Sequence, residues 1–261
     1  MDDVAKRRRR IESFVLPILA AALLILIWHE AVTLTATKIM PAPLAVWKGG
    51  IELGRKGILL PYIRDSLLRV GVGFTLAALV GVPLGLAVGL YRPLEQALNP
   101  VIQILRPISP LAWIPVAIVI FGIHPAAAVS LIFLASLFPI IVSSANAGRS
   151  VPPMFLHAGE NFGLARPALF ARVILPAALP ELITGLRIAF GVAWIVVVAA
   201  EMVAVDSGLG YLIVDSRNAG KRYDLVVAGM LLIGIIGLLL DGLFRAVEKM
   251  RWLRWGFRAE S

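Results

Sequence analysis

The chain has 261 residues, 59% of them hydrophobic and 16% charged, with a mean hydropathy of +0.89. This composition excludes an ordinary soluble domain and marks a membrane protein. The net charge of +9 does not indicate nucleic acid, because the basic residues cluster at the ends of apolar segments, where anionic headgroups lie, without interleaved aromatic stacking residues.

Crossing the hydrocarbon layer takes roughly 20 apolar residues in a helix, whose backbone satisfies its own hydrogen bonds. In chain order, six segments meet that need: Phe14 to Leu34, Ser66 to Leu90, Val101 to Phe121, Ala126 to Ala147, Leu182 to Val205 and Leu225 to Val247. The first follows the basic head "AKRRRR", but it is longer than a leader's apolar region, and its far end "WHEAVTLTATK" offers no small-residue cleavage site. An even number of spans places both termini on one side. That side carries 16 Lys and Arg and the other carries 9, so the termini are expected in the cytoplasm.

After the first span, "PAPLAVWKGGIEL" reads as a short amphipathic helix lying at the surface. The second span contains "GVPLGLAVG", with Gly81, Gly85 and Gly89 four residues apart, a pattern that lets helix backbones approach closely in lipid. The third holds Pro107, Pro110 and Pro115 within "RPISPLAWIP". These prolines bend the helix, and a bent, Trp-bearing helix is a candidate wall for a pathway. Between the fourth and fifth spans, the cytoplasmic stretch from Val151 to Glu181 carries Leu164, Leu169, Phe170, Val173 and Ile174 at mixed helical spacings. Two short helices broken near Gly163 and Pro176 are predicted, resting on headgroups or offered as a knob to a soluble partner.

Chemistry of its own is not written into the chain. No G-x-x-x-x-G-K-[ST] loop is present, since "AGKRYD" lacks the spacing and the hydroxyl residue. His29, His124 and His157 are far apart without metal-ligand spacing, no serine lies beside a histidine base, and the absence of cysteine removes thiol and Fe–S chemistry. The chain is therefore expected not to be an enzyme by itself. Glu201 is the notable ionisable residue within a predicted span. A structural or gate role is expected for it, through pairing with Arg217, Lys221 or Arg222. Asp241 is expected to pair with Arg245 one turn later.

Read from His157, "HAGENFGLARPALFARVILP" resembles the E-A-A-x3-G-x9-I-x-L-P signature of importer permeases in the ATP-binding-cassette superfamily. Ala158, Gly163, Leu175 and Pro176 match, Val173 stands for the isoleucine, and His157 and Gly159 depart from the Glu and second Ala. Together with "LRPISPLAWIPVAIVIFGI", "ITGLRIAFGVAWIVVVAAEM" and "SGLGYLI", the chain is similar to permeases for nitrate, bicarbonate, taurine and alkanesulfonates. Ser109 in "PISPLAW" tilts the resemblance toward the nitrate and bicarbonate branch.

The resemblance implies an all-α, polytopic type I importer permease in a bacterial inner membrane. It implies a single transmembrane domain over 1–261, with a coupling loop at 150–181 in which His157, Ala158, Gly159, Glu160, Gly163, Arg166, Leu175 and Pro176 meet an ATPase. It further implies a homodimer, two cytoplasmic ATPase subunits that hold ATP and Mg, and an extracytoplasmic binding protein that delivers a small anion. This chain itself would carry no cofactor. Ser109, Trp113, Ser136, Trp194 and Glu201 are the candidate pathway or gate residues. An autonomous secondary transporter or channel, or a membrane scaffold, stands as the alternative.

Overall fold

A computed structural model describes residues 2–35 and 40–248. Lys38, Lys249, Arg251, Arg254 and Arg258, which enter the charge count above, lie outside the described residues. The described residues contain no strand, and their elements follow in order as α1 (Asp2–Thr35), α2 (Pro43–Arg55), α3 (Leu59–Leu90), α4 (Arg92–Leu105), a 3-10 turn (Pro110–Trp113), α5 (Ile114–Phe121), α6 (Pro125–Arg149), α7 (Pro153–Asn161), α8 (Arg166–Leu169), a π turn (Phe170–Ile174), α9 (Leu175–Ala204), α10 (Leu209–Asn218) and α11 (Tyr223–Glu248).

Among the described residues, five helical runs are long and apolar enough to cross a membrane: Val15–Thr35, Leu59–Leu90, Pro125–Arg149, Arg166–Ala204 and Tyr223–Glu248. The third expected span is not one helix, because α4 and the stretch Pro110–Phe121 meet at 81°. Pro107 and Pro110 cannot donate into a helical ladder, and Pro110 pushes its preceding residue out of the helical region. Ser109 accordingly adopts ψ 129°, and its Oγ accepts the N–H of Leu111 at 3.3 Å, capping the turn that starts the second limb. The prolines thus produce a corner rather than a curve.

The described residues divide into two compact units, those within 1–59 and 213–231 forming one and those within 60–212 and 232–261 the other. In the first unit the apolar part of α1 exposes Leu16, Ile18, Leu23, Leu24 and Leu26 around its circumference, as befits a helix solvated by lipid. Helix α2 is the expected amphipathic segment. It buries Val46, Gly49 and Leu53 on one side, leaves Trp47 70% exposed, and lets Leu225 Cδ2 approach over Gly49.

In the second unit, α3 and α6 run parallel. Gly73 faces Ile132, Gly81 faces Ile140, and Gly89 faces Ala145, so the contacts advance together along both helices. A Cβ at Gly85 or Gly89 would collide with the carbonyl oxygens of Ile141 or Ala145. Lipid supplies no hydrophobic drive for helix association, so this close backbone approach replaces it. Helix α9 packs antiparallel to α6: Ser143 meets Gly185, while Ala128 and Leu131 share a cluster with Ala200 and Ala204. Asp241 accepts from Arg245 at 2.8 Å as expected, and also from Arg187 Nε on α9 at 2.7 Å.

Candidate functional site

Three regions carry the residues singled out above: the loop from 150 to 181, a polar cluster beside Glu201, and the walls of the broken third segment.

In the loop, α7 ends in a Schellman arrangement. Gly163 adopts φ +70°, the Gly163 N–H donates to Glu160 O at 2.9 Å, and the Leu164 N–H donates to Gly159 O at 3.1 Å. Nothing lies within 4 Å of a Cβ built on Gly163, so backbone conformation rather than space calls for glycine there. Gly159 is buried beneath Leu169, whose Cδ1 occupies the place a Cβ would take. Leu164, Leu169, Val173, Ile174 and Leu175 pack onto Leu86, Ala147, Ala178 and Leu182. These inward side chains anchor the loop to α3, α6 and α9.

The apolar surface that the loop exposes belongs mainly to Met154 (69%), Phe155 (38%) and Phe162 (85%), on and just after α7, joined by Phe170 (37%) at the start of the π turn. The sequence offered a signal for them in the apolar residues Met154, Phe155 and Phe162 just before the glycine. His157, Ala158, Glu160, Gly163, Arg166 and Pro176 are exposed as well, with His157 Nδ1 3.6 Å from Glu160 Oε2.

No break occurs near Pro176, contrary to expectation. Residues Arg166–Ala204 form one helical run, because the π turn carries the chain past the proline, with Leu175 N–H donating to Phe170 O. The wider turn absorbs the missing proline N–H without unwinding the helix. The loop's second half and the fifth span are therefore one lever.

Glu201 is fully buried, and its partner is Arg69, not Arg217, Lys221 or Arg222. Arg69 NH1 donates to Glu201 Oε1 at 2.7 Å and to Ser207 O at 2.8 Å, while NH2 donates to Ser207 Oγ. Glu201 Oε2 accepts from Ser66 Oγ at 2.8 Å and from the Gly210 N–H at 3.0 Å. Ser66 Oγ in turn accepts the Leu209 N–H at 2.9 Å. Gly208, at φ +105°, lies directly over the carboxylate, where a Cβ would clash with it. Every oxygen of this buried carboxylate is thus engaged, and α3, α9 and the start of α10 are tied at one point. Ser66, Arg69 and Ser207 complete this cluster, and the sequence reading did not single them out.

Arg222 is engaged elsewhere: NH2 donates to Glu52 Oε2 at 2.6 Å and to Asp224 Oδ2 at 2.8 Å. These carboxylates raise its pKa above the ordinary arginine value, Asp224 more than Glu52. The Arg222 hydrogen bond, reinforced by Lys56, holds the Glu52 carboxyl at about 2 instead of 4.5. A depressed folded value adds stability above 4.5 that is lost as pH falls toward about 2. The difference in thermal midpoint between wild type and Glu52→Gln should therefore stay constant from neutral pH down to 4.5 and vanish toward about 2. Glu52 is partly exposed, so the difference should be small.

The remaining pathway candidates occupy separate environments. Ser109 is exposed at the corner of the broken segment, and Trp113 is half-buried against the cluster of Ala117, Ala128 and Leu131. Ser136 is fully buried and donates to Ile132 O at 2.8 Å. Trp194 is buried, donates to Ile233 O at 3.2 Å, and lies over Gly237.

The model of the family described as binding-protein-dependent transport system inner membrane component matches residues 81–252. The chain is 34% identical to the bicarbonate transport system permease protein CmpB of Synechococcus elongatus, over 97% of this chain and 93% of that one. It is 32% identical to the nitrate import permease protein NrtB of Synechocystis sp., over 90% and 88%, and 36% identical to a putative ABC transporter permease of Methanocaldococcus jannaschii, over 91% of each. Among solved structures, an inward-facing form of the MetNI methionine ABC transporter shares the fold, with a TM-score of 0.66 and 19% identity over 74% of this chain and 95% of that one. With the long helical lever, the glycine-capped loop and the five membrane-crossing runs, these likenesses show that the chain belongs to the family of binding-protein-dependent transport system inner membrane components, the ABC importer permeases.

Proposed function

We propose that this permease forms the translocation path for a small oxyanion, nitrate or bicarbonate, as a homodimer in a bacterial inner membrane with both termini in the cytoplasm. Two ATPase subunits would hold ATP and Mg, and a binding protein would deliver the anion from outside. The observation that carries the substrate class is the 34% identity to a bicarbonate permease across 97% of the chain, joined by the likeness to a nitrate permease. No phosphate-cradling motif lies in the sequence, which supports placing the nucleotide on a partner.

The geometry supports a division of labour. Met154, Phe155 and Phe162 offer the ATPase an apolar contact, and the run Arg166–Ala204 carries displacement of that contact into the membrane. Closure of the ATPase pair on ATP would favour one arrangement of the helices, and hydrolysis would restore the other. His157, Ala158, Gly159, Glu160, Gly163, Arg166, Leu175 and Pro176 act within this coupling loop. Glu201 acts as a clamp, since both its oxygens are already engaged and a carboxylate repels an anion.

The test is reconstitution in vesicles with the cognate ATPase and binding protein, following labelled nitrate, bicarbonate and taurine. ATP-dependent uptake of nitrate or bicarbonate is expected. Uptake by this chain alone, without ATP, would establish the autonomous transporter instead; uptake of taurine only would refute the oxyanion assignment.

A further inference from the structure

A cavity of about 540 Å³ opens between α3, α4 and α6 in the second unit. Its walls are unusual for so apolar a chain. Helix α4 contributes Asn99, Ile102, Gln103 and Arg106, spaced i, i+3, i+4 and i+7, hence one helix face. Helix α6 contributes Val142, Ala145, Asn146 and Arg149 at the same spacing. The α4 face thus presents two carboxamides and the α6 face one, each followed by an arginine in or just past the last turn.

The charge on these walls is not balanced. Arg149 is engaged by Glu95 at 3.1 Å and by Asn146 Oδ1 at 3.2 Å. Arg106 has no side-chain partner among the described residues, and no carboxylate lines the cavity. Glu95 leaves the pair of guanidinium groups with one surplus positive charge. Helices α4 and α6 both end here, and their terminal carbonyls bring about half a negative charge each. Together these carbonyls offset the surplus charge, so an anion is held by the N–H donors aimed at it rather than by net charge. Carboxamide N–H groups and a free guanidinium edge are the donors that a small oxyanion needs.

We infer that this cavity is a binding site for a small oxyanion, the station from which the transported anion leaves for the cytoplasm. The inference rests on the oxyanion reading above and on the charge bias that places Arg106 and Arg149 on the cytoplasmic side. A phospholipid headgroup presents the same oxygen chemistry, so the test separates a free anion from a lipid.

Sodium nitrate and sodium bicarbonate are titrated calorimetrically into the permease–ATPase complex in phosphatidylcholine nanodiscs, without binding protein. Saturable binding is expected, weakened about tenfold or more by Arg106→Gln or Gln103→Leu, as for loss of a charge-assisted hydrogen bond, and partly kept by Arg106→Lys. Equal affinity in Arg106→Gln, or no saturable binding by either salt, overturns the site. So does retention of phosphatidylglycerol by wild type but not by Arg106→Gln in native mass spectrometry, which would assign the cavity to a headgroup. Vesicle uptake run in parallel keeps the two readings apart: oxyanion uptake without binding at the cavity sinks only this inference, whereas no oxyanion uptake sinks the substrate assignment.

Discussion

Arg69→Met is expected to destabilise the permease by about 3–5 kcal/mol, because it leaves the Glu201 carboxylate buried without its counter-charge. The carboxylate is fully buried, 2.7 Å from the guanidinium, and cannot turn to water. Glu201→Leu alone should cost less, because Arg69, itself 6% exposed, keeps Ser207 and the Asp65 carboxylate 3.9 Å away. The double variant Arg69→Met/Glu201→Leu should recover much of the Arg69→Met loss, since the fully buried carboxylate is then gone and Asp65 is open to solvent. Ser66→Ala should cost about 1–3 kcal/mol, because it strands the Leu209 N–H and removes one donor to the carboxylate. Thermal unfolding in detergent checks all four. Additive losses in the double variant would show that the two side chains do not act as a pair.

The second large effect concerns coupling rather than stability. Phe162 is 85% exposed, so Phe162→Ala should leave the chain's own stability within about 0.5 kcal/mol. A central aromatic in an interface is commonly worth 2 kcal/mol or more, so the same change should weaken ATPase docking by about thirtyfold. Gly163→Ala tests the geometry behind it. A left-handed conformation costs a non-glycine residue about 1–2 kcal/mol, and relief of that strain would swing Phe162 out of register with α8. Pro176→Gly loosens the start of the lever after the π turn and should lower transport per ATP more than it lowers assembly. Co-purification and uptake per ATP hydrolysed measure these separately. If Phe162→Ala binds the ATPase with wild-type affinity, the contact lies elsewhere.

These two sites differ in how far they can be read from residues alone. The coupling loop is legible because its features are local: a glycine at a helix end, a proline a fixed distance on, and spacing that resembles a family signature. Even so, of the apolar positions Leu164, Leu169, Phe170, Val173 and Ile174 only Phe170 is exposed, and the other four are packed inward in the cluster with Leu86, Ala147 and Leu182. Period shows that a segment has an apolar side, but not which neighbour covers it.

The clamp is not legible at all. Arg69 and Glu201 are 132 positions apart, and Arg69 entered the sequence reading only as one of the nine basic residues counted opposite the termini. Arg187 and Asp241, 54 positions apart, escape for the same reason, while Asp241 and Arg245, one turn apart on α11, do not.

The sequence by itself determined the class, the number of apolar segments and the closeness of α3 to its neighbour. Each follows from a local rule: the length that hydrocarbon demands, backbone polar groups satisfied within a helix, and small residues repeated every fourth position. Only the tertiary structure decided that Glu201 joins Arg69, that the prolines of the third segment make an 81° corner, and that the helix runs through Pro176 unbroken. Those outcomes depend on which helices become neighbours and on how a turn redistributes its hydrogen bonds, and neither is a property of any one segment.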